Sequence, residues 1–165
     1  MNIRRFIWIG LPAVLIIGCG SGASPLGTVK LTLATSGNLP AGTSLAGIGM
    51  TLTLPTGVTP ALDNAGQVDT SRLVTASGVT AAGGLAVTAV YVGATAGTPA
   101  RLSLAAASKA AGGFGVGETM LVTLNRLTTS SLGTADFAII EFSAADLSGN
   151  AVIGLQAAVS GVSLE

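Results

Sequence analysis

The chain has 165 residues, with seven lysines and arginines balanced by seven aspartates and glutamates, and no histidine. So little charge supplies no basic stripe for nucleic acid, and so apolar a composition is not that of a disordered chain. Without histidine, and with a single cysteine, the usual nucleophile–base pairs, zinc ligand sets and intrachain disulfides cannot be built, so stability must come from packing.

Arg4 and Arg5 precede an uncharged, largely apolar run from Phe6 to Gly18, which ends at Cys19. As a helix that run would reach only about 20 Å at roughly 1.5 Å per residue, short of a bilayer core of about 30 Å, and Pro12 interrupts it. A basic start, an apolar stretch and small residues before a cut site make a secretory signal. The box Ile16-Ile17-Gly18-Cys19 resembles that of bacterial lipoprotein signals, with Ile where Leu is commoner in the first place. The resemblance implies residues 1–18 as signal peptide and a covalent lipid on Cys19 anchoring the chain in the bacterial envelope. Gly20, where Asp would be associated with inner-membrane retention, favours the outer membrane in a Gram-negative cell. Residues 19–27, with Gly20-Ser21-Gly22-Ala23-Ser24-Pro25, read as a flexible tether.

From residue 28 to 165 the pattern has a period of two, which predicts strands with one buried row and one solvated row. Val29, Leu31 and Leu33 alternate with Lys30 and Thr32. Ile48, Met50, Leu52 and Leu54 alternate with Gly49, Thr51 and Thr53. Leu85, Val87 and Tyr91 share a face, Leu102 and Leu104 flank Ser103, and Met120, Val122 and Leu124 follow. Next, Ala138, Ile140 and Phe142 are placed on one face against Phe137, Ile139 and Glu141. Finally Leu155, Ala157 and Val159 give way to Val162 and Leu164. Gly-, Pro- and Asn-containing turns separate these runs. Two segments are open to a helical reading: Ala-rich 105–111, and 69–76 with Asp69 as cap. The expectation is an all-β, two-sheet antiparallel sandwich of the jelly-roll kind.

Gly47–Leu54 with the Pro55-Thr56-Gly57-Val58 step, Gly115–Leu124, and Phe137–Asn150 resemble, in order and spacing, strands of cohesin modules and the carbohydrate-binding-module sandwiches related to them. The resemblance spans roughly residues 28–165 and implies the sandwich. A dockerin partner is not implied, because the polar and charged sheet face that cohesins use is not found in these residues.

Seven carboxylates remain as candidate chemistry: Asp63, Asp69, Glu118, Asp136, Glu141, Asp146 and Glu165. Five residues apart on a strand, Asp136 and Glu141 would face opposite ways, unlike the flanking pair of a glycosidase. Asp146, Ser148 and Asn150 space oxygen donors as the start of a calcium loop does, but Ala157 stands where the closing Glu belongs. A hairpin turn with Gly149 at positive φ is the preferred reading of that segment. No catalytic residue, cofactor or firm metal site is assigned. The sequence therefore points to a non-catalytic, lipid-anchored sandwich that contacts an envelope or extracellular protein or builds an envelope assembly. The alternative is a carbohydrate-binding module that recognises polysaccharide, for which Tyr91 would be the platform.

Overall fold

The structure, a computed structural model, describes residues 24–165. Nine strands form two antiparallel sheets: β1 (Gly27–Ser36), β2 (Leu45–Leu54), β3 (Val58–Thr59), β4 (Val74–Ala76), β5 (Leu85–Val92), β6 (Ala100–Ser108), β7 (Gly117–Arg126), β8 (Ile139–Asp146) and β9 (Gln156–Leu164). In sheet A the order is β3-β7-β1-β9, with β4 also on β7; in sheet B it is β5-β6-β2-β8. Among the described residues, only β5 and β6 are both consecutive in the chain and neighbours in a sheet. Every other partner is brought in from a distance, so this is a two-sheet sandwich whose pairing is almost wholly non-local.

The period-two runs place their apolar rows between the sheets. Val29, Leu31 and Leu33 of β1, Met120, Val122 and Leu124 of β7, Leu52 of β2 and Leu102 of β6 have almost no exposed surface. Each such side chain stabilises the fold by about 1.5–3 kcal/mol through the area removed from water. Phe114 and Phe137, outside the strands, plug the ends of this core. Phe114 is held there by a two-way backbone bridge: Leu45 N–H donates to Phe114 C=O at 2.8 Å, and Phe114 N–H donates to Leu45 C=O at 3.0 Å.

Two expectations are corrected. The Ala-rich stretch 105–111 is not helical: β6 runs on to Ser108, with Leu102, Leu104 and Ala106 buried and Ala105 and Ala107 exposed. Alanine's helix propensity amounts to tenths of a kcal/mol per residue, which pairing with β2 and β5 on both sides overrides. In β8, Ile140 does not share a face with Phe142. Thr51 pairs with Glu141 and Leu52 with Ile139, leaving Ile140 as the extra residue of a β-bulge. Phe137 and Ile139 therefore pack inward before the bulge and Phe142 and Ala144 after it, while Ile140 is 44% exposed.

The segment 69–76 splits. Asp69 caps one turn of helix, α1 (Thr70–Leu73), its carboxylate accepting from Ser71 N–H, and the chain then enters β4. In β9 a bulge at Ser160 lets both Val159 and Val162 pack against the core, which accounts for the change of phase in the sequence.

Candidate functional site

The outer faces of the two sheets differ in kind. On sheet A the outward positions of β1 and β7 include Thr28, Lys30, Thr32, Thr123 and Asn125, with Ala34 and Leu121 as the apolar exceptions. On sheet B the cross-strand register aligns small residues in rows. Ala86, Ala107, Gly47 and Ala145 lie side by side across β5, β6, β2 and β8, and the next row is Thr88, Ala105, Gly49 and Ser143. Together they floor an open trough of about 650 Å³ with no charged residue in its lining. The β8–β9 turn, with Gly149 and Ala151, walls one end.

Toward the other end the next row across the sheet is Val90, Ser103, Thr51 and Glu141. Thr51 Oγ1 donates to Glu141 Oε2 at 2.9 Å and lies 3.1 Å from Ser103 Oγ, so the carboxylate folds over the hydroxyl. The two floor glycines follow from close approach. A Cβ on Gly47 would stand 2.9 Å from the Ala106 carbonyl oxygen, and one on Gly49 would stand 2.9 Å from Ser143 Oγ. Glycine within a strand marks a place where another backbone can approach closely. The surface offers flat packing area with almost nothing that ionises.

The candidate calcium residues form a turn. Asp146 Oδ1 accepts from Ser148 N–H at 2.9 Å and Asn150 N–H at 2.8 Å, Oδ2 accepts from Asn150 Nδ2 at 3.2 Å, and Gly149 has φ +81°. Both carboxylate oxygens thus already serve the loop's own N–H groups. Those bonds, led by Asn150 N–H, hold the Asp146 carboxyl below its ordinary range. Asp63 repeats the device: Oδ1 accepts from Ala65 and Gln67 N–H at 2.8 and 2.9 Å, and Gly66 has φ +75°. Each Asp-x-x-Gly is a three-residue hairpin loop with its glycine in the left-handed region. At Asp69 the Ser71 hydroxyl is the main cause of the same downward shift.

The other candidates are scattered. Asp136 accepts from Gly133 N–H at 2.7 Å in a short 3-10 turn, away from Glu141 on β8. Glu118 bonds to the Ser77 hydroxyl, and Glu165 pairs with Lys30 at 2.6 Å on the surface. Tyr91 packs half-buried against the core from β5, beside a groove of about 250 Å³ edged by Pro55 and Pro99. Cys19 and the signal segment lie outside the described residues. Among the described residues no group of three or more acidic side chains converges as a metal cage would.

Sequence reasoning missed the trough. Its signal was present: Gly47, Gly49, Ala105 and Ala107 all fall in the outward phase of their strands. What that phase could not give was the lateral alignment of four separate strands.

Fold and surface define a class, the two-sheet antiparallel β-sandwich with an uncharged small-residue trough on one face. No protein-family model, curated protein or solved structure matches the chain.

Proposed function

We propose that this chain is a non-catalytic, lipid-anchored protein of the bacterial envelope, held by a lipid on Cys19, that presents its sandwich for contact with another protein. One observation carries the contact reading: the half of sheet B's outer face that forms the trough is uncharged and floored by Gly and Ala, with Glu141 and Arg101 beyond it, whereas the outward positions of β1 and β7 are mostly polar. Interface cores are depleted in charge, and a surface without side-chain bulk lets a partner's backbone come close. Position supports the same reading. β1 begins at the pole shared by Gly27, Arg126 and Leu54, while the trough lies toward the opposite pole, near Leu45, Ala107 and Asp146. A tether entering at Gly27 leaves the trough facing away from its anchor.

The test uses the full chain in envelope membranes. Radiolabelled palmitate should be incorporated into the wild type and not into Cys19→Ala. A photo-crosslinking residue at Ala105, in the trough, should give a discrete heavier protein adduct, and the same residue at Thr123, on sheet A, should not. Labelling that survives in Cys19→Ala would overturn the anchor. Equal or absent adducts at the two positions would overturn the contact face.

A further inference from the structure

Four strand edges border the two sheets, and three are protected against pairing with another chain. On one side of sheet A the edge is made of β3 and β4, only two and three residues long. On its other side, β9 carries a bulge at Ser160 followed by Gly161. In sheet B, β8 has its bulge at Ile140 and the charges of Glu141 and Asp146. Short strands, bulges and edge charges are the usual devices that keep an open ladder from recruiting a new strand.

β5 has none of them. Leu85-Ala86-Val87-Thr88-Ala89-Val90-Tyr91-Val92 is eight residues without charge, proline, glycine or bulge, in unbroken register with β6. Among the described residues its backbone bonds only to β6, so the outer row of N–H and C=O groups has no backbone partner, although α1 and β4 pass close to the strand. Its outward side chains include Val90 and Val92, 63% and 58% exposed.

We infer that β5 is the pairing edge for a second copy of this chain, joined antiparallel about a two-fold axis through Ala89, so that two B sheets become one continuous eight-stranded sheet. A two-fold antiparallel pairing sets residues of the same face opposite each other, because side chains alternate strictly along a strand. Centred on Ala89, it places Val90 opposite Thr88 of the second copy and Val92 opposite Ala86 on the outer face. On the inner face it places Tyr91 opposite Val87. Each exposed valine thus meets a small partner, each aromatic meets a β-branched one, and no charge is buried anywhere along the seam. The lack of charge also argues for self-pairing, since no complementary partner charge is called for. The area is that of one strand edge, below the roughly 1,200 Å² of a stable interface. The association is accordingly weak in dilute solution and promoted by high local concentration. The edge adjoins the trough and shares Ala86, Val87 and Thr88 with its lining, but a strictly monomeric protein would leave the trough's contact reading standing.

The test takes the full chain in detergent micelles. Thr88→Cys and Val90→Cys chains, mixed and mildly oxidised, are expected to give a disulfide dimer, because directly opposite residues have Cα atoms about 4.5–5.5 Å apart, within disulfide reach. Neither variant alone should cross-link as strongly, and the wild type, with only Cys19, sets the background. By sedimentation, Val90→Lys is expected to weaken dimerisation on the order of tenfold or more. Ala158→Lys on β9 should leave it unchanged, with circular dichroism verifying that both variants fold. A wild type that stays monomeric at every concentration, a dimer that Val90→Lys does not weaken, or no preferential cross-link for the mixed pair would each overturn the inference.

Discussion

The Thr119 hydroxyl donates to the Leu33 carbonyl at 3.1 Å in the middle of the sandwich, and neither residue has any exposed surface. Thr119 is the extra residue of the β1–β7 bulge, since Leu33 pairs with Met120 and Ala34 with Glu118. Thr119→Val keeps the shape and removes the donor. It is expected to lower the unfolding free energy by about 1 kcal/mol, the usual net worth of such a bond. Urea denaturation should show a lower midpoint at unchanged slope. An unmoved midpoint would mean that the bond contributes nothing net.

The bulge in β8 makes two adjacent isoleucines unequal. Ile140→Ser, at an exposed position, should change stability by no more than about 0.5 kcal/mol. Ile139→Ser, which withdraws a side chain packed on the core, should cost about 1–3 kcal/mol. Strict alternation predicts the reverse order, so thermal melts of the pair decide between the two registers.

Two left-handed glycines should respond differently to alanine. At Gly78, with φ +50°, an added Cβ would stand 2.3 Å from the Glu118 carbonyl oxygen, a backbone atom that cannot move aside alone. At Gly66, with φ +75°, the space is empty. Gly66→Ala should cost only the left-handed penalty of about 1–2 kcal/mol. Gly78→Ala adds a steric clash and should cost well beyond that, measured as the difference in denaturant midpoints.

Asp146 gives a pH signature. Its folded carboxyl lies below the ordinary 3.8 because the charged form accepts the turn's N–H groups. A lowered folded value means the contribution is present above the unfolded value and is lost as pH falls through the folded one. Asp146→Ala should therefore melt below wild type near neutral pH, and the gap should close only at pH values under 3.8. A gap that stays constant into strong acid would show that the ionised carboxylate is not what holds the turn.

Much of the architecture was legible because burial in a sandwich imposes a period of two, which β1 and β6 obey throughout and β7 obeys from Met120 onward. The Asp146 turn and the Asp69 cap were legible for a different reason, since both are satisfied within a few residues of chain. Ile140 was misplaced because a bulge is set by the partner strand: only the pairing of Leu52 with Ile139 shows that one residue has been skipped. Ala105–Ala111 was ambiguous because alanine fits either periodicity, and its neighbours on β2 and β5 decided the matter.

The sequence by itself determined the all-β class, the absence of histidine chemistry, the Asp146 turn and most of the core residues of β1, β2, β6 and β7. These depend on alternation and on contacts a few positions apart. The tertiary structure alone decided which strands are neighbours. With β5 and β6 the only sequential pair in a sheet among the described residues, neither the row Ala86–Ala107–Gly47–Ala145 nor the unprotected edge at Leu85–Val92 exists until distant segments have paired. Lateral order arises from non-local hydrogen bonding, and local pattern carries no record of it.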